Sequence, residues 1–197
     1  MSNPVFTDVV FVGDMREVRS LYGKMKRLEE RKQPLEENGC YWAKRWLGNL
    51  VARLGEDWHE VYCRGTWKFL RKTGHSVLFL TETAWKPPFE LFKMIQRHYP
   101  SLRFYFEAEG EEWDAHITND IEGHYFPYRY IIDCEPDIEY FNTIEAAAAH
   151  LSTYIGKCIV PTWESLNNAA DEWNNKHKDS DWPVNVKQIE VIDNHDI

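Results

Sequence analysis

Residues 83–88 read Thr-Ala-Trp-Lys-Pro-Pro and separate a strand-like run at 77–83 from a helix-like run at 89–99. The second proline suits the first turn of a helix, where a missing amide proton costs no hydrogen bond. The first proline favours an extended conformation in the residue before it. The stretch therefore predicts a strand-to-helix corner built around Trp85.

Hydrophobic periodicity on both sides of this corner predicts the element order β, α, α, β, β, α, β. A helix begins at Asp14, a second one near 40–55 resembles an insertion, and a third follows the corner. Removing the insertion leaves βαββαβ, the order of the ferredoxin-like split βαβ motif. The predicted strands are 5–13, 58–65, 76–83 and 102–108.

The remaining sequence predicts further strands and two more helices. Runs at 113–118 and 124–134 are expected to extend the same sheet. After residue 135 the pattern changes, with helices opened by Asn142 and Thr162 and an alternating strand at 184–191.

We therefore predict an α+β fold in two parts. Residues 1–134 form a ferredoxin-like antiparallel sheet with the inserted helix, and residues 135–197 form an appended extension of helices and strand packed on it.

Composition indicates an ordinary globular protein with a strongly aromatic core. The 197 residues include 9 Trp, 10 Tyr and 10 Phe, and no run approaches the roughly 20 apolar residues of a membrane span. Cys40, Cys63, Cys134 and Cys158 lack metal-ligand or redox spacing, so reduced thiols and a cytoplasmic location are expected.

Charge is distributed unevenly along the chain. Residues 1–104 contain 18 Lys and Arg against 12 acids, whereas residues 105–197 contain 5 against 20. The acidic half could dock a basic partner, or the two oppositely charged halves could face each other and keep the surface soluble.

Three sequence features together resemble the YubB-like ferredoxin-like family, over residues 5–134. They are Gly65-Thr66-Trp67-Lys68, the corner at 83–88, and a helix that ends in Tyr99-Pro100 before an aromatic strand. The resemblance implies the ferredoxin-like fold and an origin in plasmids, phages or other mobile elements, and it brings no activity. In the family's usual pattern lysine precedes tryptophan after Gly-Thr, whereas Trp67 precedes Lys68 here, so no role is carried over to either side chain.

The first candidate site is an aromatic and basic edge of the sheet. Trp67 and Trp85 are expected at neighbouring strand ends with Lys68, Lys86 and Arg64, an arrangement suited to an anionic or planar ligand. The alternative is that both rings seal the sheet edge against the inserted helix, where Trp42 and Trp46 would meet them.

The second candidate is the acidic cluster that follows the aromatic strand. It could be a protein interaction surface, an acid-base or metal site together with His116 and His124, or a solvated strand end. Spacing and the missing calcium-loop signature favour no metal. The cluster consists of Glu107, Glu109, Glu111, Glu112 and Asp114.

Nucleic-acid binding and cofactor chemistry are both disfavoured. Tyr105 could stack on a base, but Glu107 and Glu109 share its strand face and would repel phosphates. The chain has no glycine-rich phosphate loop and no glycine elbow around a nucleophile, so no cofactor is predicted.

We therefore predict a non-enzymatic binding module of mobile-element origin that contacts a protein partner through its acidic half. One alternative is a ligand-binding protein or small enzyme that uses the Trp67 and Trp85 edge. Another is an acidic DNA mimic that inhibits a host nuclease. The sequence leaves the oligomeric state and the partner's identity open.

Overall fold

The computed structural model describes residues 3–37, 43–110, 115–134, 136–178 and 182–194, which form five helices and two sheets. The chain divides into two units, Met1–Ile121 with Ile192–Ile197, and Glu122–Val191. The prediction of a mixed chain with mostly antiparallel sheets is confirmed.

The first unit contains five strands and three helices among its described residues. The elements are β1 (Pro4–Val12), α1 (Met15–Glu30), α2 (Leu47–Leu54), β2 (Gly65–Lys72), β3 (Ser76–Ala84), α3 (Phe89–His98), β4 (Arg103–Gly110) and β5 (His116–Thr118). These strands are ordered β2-β3-β1-β4-β5, and each neighbouring pair is antiparallel. The central strand, β1, is therefore bonded on both sides along most of its length.

The helix boundaries follow the local signals in the sequence. Asp14 caps α1 by accepting a 2.8 Å hydrogen bond from the Arg16 N–H. Pro88 is the cap residue of α3, which starts at Phe89 as the corner predicts. Ser101 also fixes the junction between β1 and α1, because its hydroxyl accepts the Asp14 N–H at 3.0 Å.

The helices cover one face of the first sheet. Val9 and Phe11 of β1 belong to the same buried cluster as residues of α1, α2 and α3. Because side chains alternate along a strand, Phe6 and Asp8 lie on the opposite face. The hydrophobic pattern of β1 thus places Phe6 and Asp8 on the sheet face that the helices do not cover.

The predicted strand at 58–65 is wrong in its position. Those residues form turns and irregular structure, and β2 begins only at Gly65. Trp58 packs edge-on against Trp46, with ring centroids 5.0 Å apart, instead of pairing in the sheet. Apolar residues that alternate over a short run can pack as a loop just as well, so the pattern alone was insufficient. β3 does form a hairpin across the predicted turn at Thr73, but its partner is β2 and not the run 58–65.

The inserted helix is confirmed as α2, and Trp46 attaches it to the segment that precedes β2. The indole N–H of Trp46 donates to the Cys63 carbonyl at 2.9 Å, and its ring lies directly against Gly48. A side chain at Gly48 would overlap that ring, which explains a glycine in the first turn of a helix. Trp42 lies outside the described residues.

The second unit is a three-stranded antiparallel sheet with two helices packed on it. Its elements are β6 (Tyr130–Cys134), β7 (Asp137–Phe141), α4 (Ile144–Ile155), α5 (Trp163–Lys176) and β8 (Asn185–Gln188). A further two-residue strand, β9 (Glu190–Val191), does not pair in this sheet. The strands of this sheet are ordered β7-β6-β8. Ala147 and Leu151 of α4 and Leu166 of α5 pack on Ile132 of β6.

Caps in the second unit agree closely with the sequence. Thr162 caps α5, and Gly156 ends α4 in the left-handed conformation, with φ of 74°. The cap of α4 is Thr143 and not Asn142, because the Thr143 hydroxyl accepts the Ala146 N–H.

The boundary between the two units follows Ile121, whereas the sequence predicts a boundary after residue 134. The run at 124–134 was expected to extend the first sheet, but β6 pairs with β7 and β8 instead. An alternating strand pattern indicates that one face is buried and does not specify which strands pair with it. One partner of β6, Asn185–Gln188, lies more than 50 positions away in the sequence, so no local pattern could indicate this pairing.

Candidate functional site

Trp67 lies in the core and not at an accessible edge. Its side chain is fully buried, and its indole N–H donates to Glu29 Oε1 of α1 at 3.3 Å. A ring without exposed surface cannot stack on a bound ligand. The alternative interpretation of Trp67, a ring that seals the sheet, matches its position.

Trp85 is in the opposite situation. Its side chain is 54% exposed, and its backbone has a φ of 74°, which is unfavourable for a bulky residue. Its N–H donates to the Asn3 carbonyl at 2.8 Å, which anchors this conformation. Phe69, at the bulge in β2, shares both properties, with 70% exposure and a φ of 54°.

The basic residues of this predicted edge also separate. Lys86 Nζ lies 2.8 Å from Glu90 Oε1 and 4.8 Å from the centre of the Tyr62 ring, close to the corner. Lys68 of the edge strand β2 forms an ion pair with Glu82 of the neighbouring strand β3. The backbone carbonyl of Arg64 accepts the N–H of Ala84, so Arg64 lies beside the corner.

The structure therefore does not give Trp67 and Trp85 a shared surface. Trp67 faces α1 from within β2, whereas Trp85 projects outward after β3 ends. The expected position of Trp67 at a strand end followed from the misplaced strand at 58–65. With Gly65 as the first strand residue, Trp67 is an interior residue of β2.

The acidic residues of β4 lie on the sheet face opposite the helices. Glu107 and Glu109 alternate with Phe106 and Ala108, which point into the core. The side chain of Glu109 is 62% exposed, and that of Glu107 is largely buried. Glu111, Glu112 and Asp114 lie outside the described residues.

Asp8 completes this cluster, and sequence reasoning missed it. It lies opposite Glu107 in the pairing of β1 with β4, and its neighbour Phe6 lies opposite Glu109. Because Asp8 lies between Thr7 and Val9, which are buried, strand alternation places it on the sheet face opposite the helices. No local feature of the sequence indicates that β1 pairs with β4. We call Asp8, Glu107 and Glu109 the acidic face.

His116 of β5 lies against the same two glutamates. Its Nε2 is 3.1 Å from Glu107 Oε1 and its Nδ1 is 3.7 Å from Glu109 Oε2. The imidazole side chain is only 9% exposed, and Nε2 forms no hydrogen bond to the described residues. His116 therefore lies within ion-pair distance of both glutamates, without a directed hydrogen bond from Nε2 to a described residue.

Electrostatics on the acidic face disfavour the ionised form of Asp8. Burial raises the pKa of the Asp8 carboxyl above its usual value, the negative charges of Glu107 and Glu109 raise it further, and Arg71 opposes them. The free protein therefore loses some folding free energy when Asp8 is ionised.

Metal and thiol chemistry find little support within the described parts of the chain. The described residues contain no group of three His, Cys, Asp or Glu side chains placed to hold a metal ion. His124 is exposed. Burial raises the pKa of the Cys63 and Cys134 thiols to about 11, with Asp133 contributing for Cys134, so both are protonated at neutral pH.

Cys158 is exposed, and like Cys63 and Cys134 it is a free thiol. Cys40 lies outside the described residues. Across the described ranges, none of the helices has the length and apolarity needed to cross a membrane. Comparison with known protein families, with curated proteins and with solved structures found no match.

Replacing each of two tryptophans by alanine should separate their roles. We expect Trp67→Ala to lower the melting temperature by roughly 6–20 °C, because a fully buried ring leaves a cavity and Glu29 loses a donor. Trp85→Ala, the matched change at an exposed site, should shift the melting temperature by less than about 2 °C, within the range of surface substitutions. Thermal unfolding followed by circular dichroism measures both, and a comparable loss in Trp85→Ala would contradict this assignment.

Proposed function

We propose that this protein is a non-enzymatic binding module that docks a basic protein segment on its acidic face. The observation that carries the proposal is the strand register that sets Asp8 directly opposite Glu107, with Glu109 exposed on the same sheet face. The pKa of Asp8, which its two glutamate neighbours help to raise, agrees with this crowding of negative charge. A side chain that costs stability in the free protein is explained if a partner's cation offsets that cost on binding.

The register of the sheet concentrates this unfavourable charge. Like charges directly opposite each other on paired strands destabilise a sheet, and Asp8 and Glu107 are such a pair. Arg71 of β2 compensates in part. A Lys or Arg side chain placed between the three carboxylates would supply the missing positive charge.

Overall charge favours the same partner. The 20 acids and 5 basic residues of positions 105–197 would attract a basic protein over long range and speed its association. Binding through such a surface depends on ionic strength, because salt screens charges that are separated by more than about 8–10 Å.

We also propose that the first unit is ferredoxin-like and related to the YubB-like family. The antiparallel order β2-β3-β1-β4, with α1 and α3 on one face, supports the split βαβ arrangement. An origin in a mobile element follows from that resemblance. Free thiols at Cys63, Cys134 and Cys158 support a reducing, cytoplasmic location.

Neutralising Asp8 should stabilise the protein in a pH-dependent way. The pKa of Asp8 in the folded protein is raised above 3.8. Protonation of Asp8 therefore favours the folded state: this contribution to the free energy of unfolding is fully present below about pH 3.8 and is lost as the pH rises through the folded pKa. We expect Asp8→Asn to raise the melting temperature at pH 7 by roughly 1–3 °C, and the difference should vanish at acidic pH. Melting curves across a pH series measure it.

Asp57→Asn is the control for that experiment. Hydrogen bonds from the His59 backbone and ring hold the Asp57 pKa below its usual value, so this substitution should not raise the melting temperature at neutral pH. A lower melting temperature for Asp8→Asn at pH 7 would show that the Asp8 charge is already compensated, and would remove the argument for a partner.

Binding itself can be tested with a short Lys- and Arg-rich peptide in isothermal titration calorimetry at two ionic strengths. We expect salt-sensitive binding that weakens about tenfold or more in the triple variant Asp8→Asn, Glu107→Gln, Glu109→Gln, since charge-assisted hydrogen bonds are lost.

A matched triple variant removes the same charge elsewhere. Glu37, Glu60 and Glu145 are exposed and lie outside the strands, so Glu37→Gln, Glu60→Gln, Glu145→Gln should leave the affinity within about twofold of the parent. Equal weakening in both variants would mean that only net charge matters, and would reject the acidic face as the docking surface.

A further inference from the structure

A groove of about 350 Å³ runs along the edge strand β2 of the first unit. One side is formed by residues 43–45 and the other by residues 66–68. Three of the six lining residues are cationic, namely Lys44, Arg45 and Lys68. The volume is at the lower end of the range for small-molecule sites.

Hydrogen bonds hold both sides of this groove in place. The backbone N–H of Trp67 donates to the Arg45 carbonyl at 3.0 Å, which joins residues 43–45 to β2. Asn49 of α2 is fully buried, and its Nδ2 donates to the Ala43 carbonyl at 3.0 Å. The groove is therefore present in the free protein, and binding would not require the backbone to be ordered first.

The cations of the groove exceed the carboxylates paired with them. Arg45 Nε is 3.6 Å from Glu29 Oε1, and the same carboxylate also pairs with a lysine of α1. Lys68 pairs with Glu82. Within the described parts of the chain, Lys44 forms no ion pair, so positive charge remains available there.

We propose that this groove binds the phosphate group of a small anionic ligand. A guanidinium presents two parallel donors that match two phosphate oxygens, and a neighbouring ammonium adds a point charge. Trp67 contributes no exposed ring, so stacking of a planar group on it is excluded and charge supplies the attraction. The phosphate can be free pyrophosphate or part of a nucleotide, and both offer the same oxygens.

This site is separate from the acidic face and does not depend on the proposed function. Its walls are residues 43–45 and 66–68, whereas the acidic face is built from β1 and β4. Failure at either place would leave the other untouched.

Isothermal titration calorimetry of the full chain with inorganic pyrophosphate at low ionic strength tests the proposal. The double variant Lys44→Gln, Arg45→Gln should weaken binding about tenfold or more. The control Arg19→Gln, Lys32→Gln removes the same charge from two exposed residues that do not line the groove, and should keep the affinity within about twofold.

Absence of binding to the parent protein, or equal weakening in both double variants, would overturn the proposal. If the groove variant has a lowered melting temperature, Lys44→Gln alone decides the question, because Lys44 has no ion pair among the described residues and its loss should still weaken binding several-fold. A parallel titration with adenosine monophosphate distinguishes the sources, since tighter binding than for pyrophosphate indicates a nucleotide and equal or weaker binding indicates the free anion.

Discussion

The aromatic packing around Phe11 is the contact on which the rest of the first unit depends. Phe11 is fully buried in the central strand, and its ring centroid lies 5.9 Å from Phe79 of β3, 5.9 Å from Phe92 of α3 and 5.8 Å from Phe104 of β4. One side chain thereby joins three elements that are distant in sequence. Large rings contribute much of the buried apolar area in such a core, so this cluster fixes the register of the sheet.

That register places the charges of the protein. Once Phe11 and Val9 face the helices, Asp8 must face the other way, and pairing with β4 sets it opposite Glu107. The acidic face is thus a direct consequence of core packing. Partial desolvation of the carboxyl and the negative charges of the two glutamates beside it raise the pKa of Asp8.

The edge strand β2 combines the features of a protected edge with those of a binding site. A bulge follows Lys68 and places Phe69 in a strained, exposed position, while Lys68, Arg71 and Lys72 carry charge along the strand. Bulges and lysines prevent edge-to-edge pairing with other chains. Residues 43–45 cover the other half of the same strand through the Trp67 and Arg45 backbone bond, and this gives the edge its groove.

The sequence by itself determined the features that depend on neighbouring residues. The corner before α3, the caps Asp14, Thr162 and Gly156, and the common face of Glu107 and Glu109 all follow from local backbone preferences and side-chain periodicity. Tertiary structure alone decided that Trp67 is buried while Trp85 is exposed, that Asp8 joins the acids of β4, and that β6 leaves the first sheet. These outcomes depend on which strands pair. Strand pairing depends on the free energy of the whole core, so a short stretch of sequence does not reveal it.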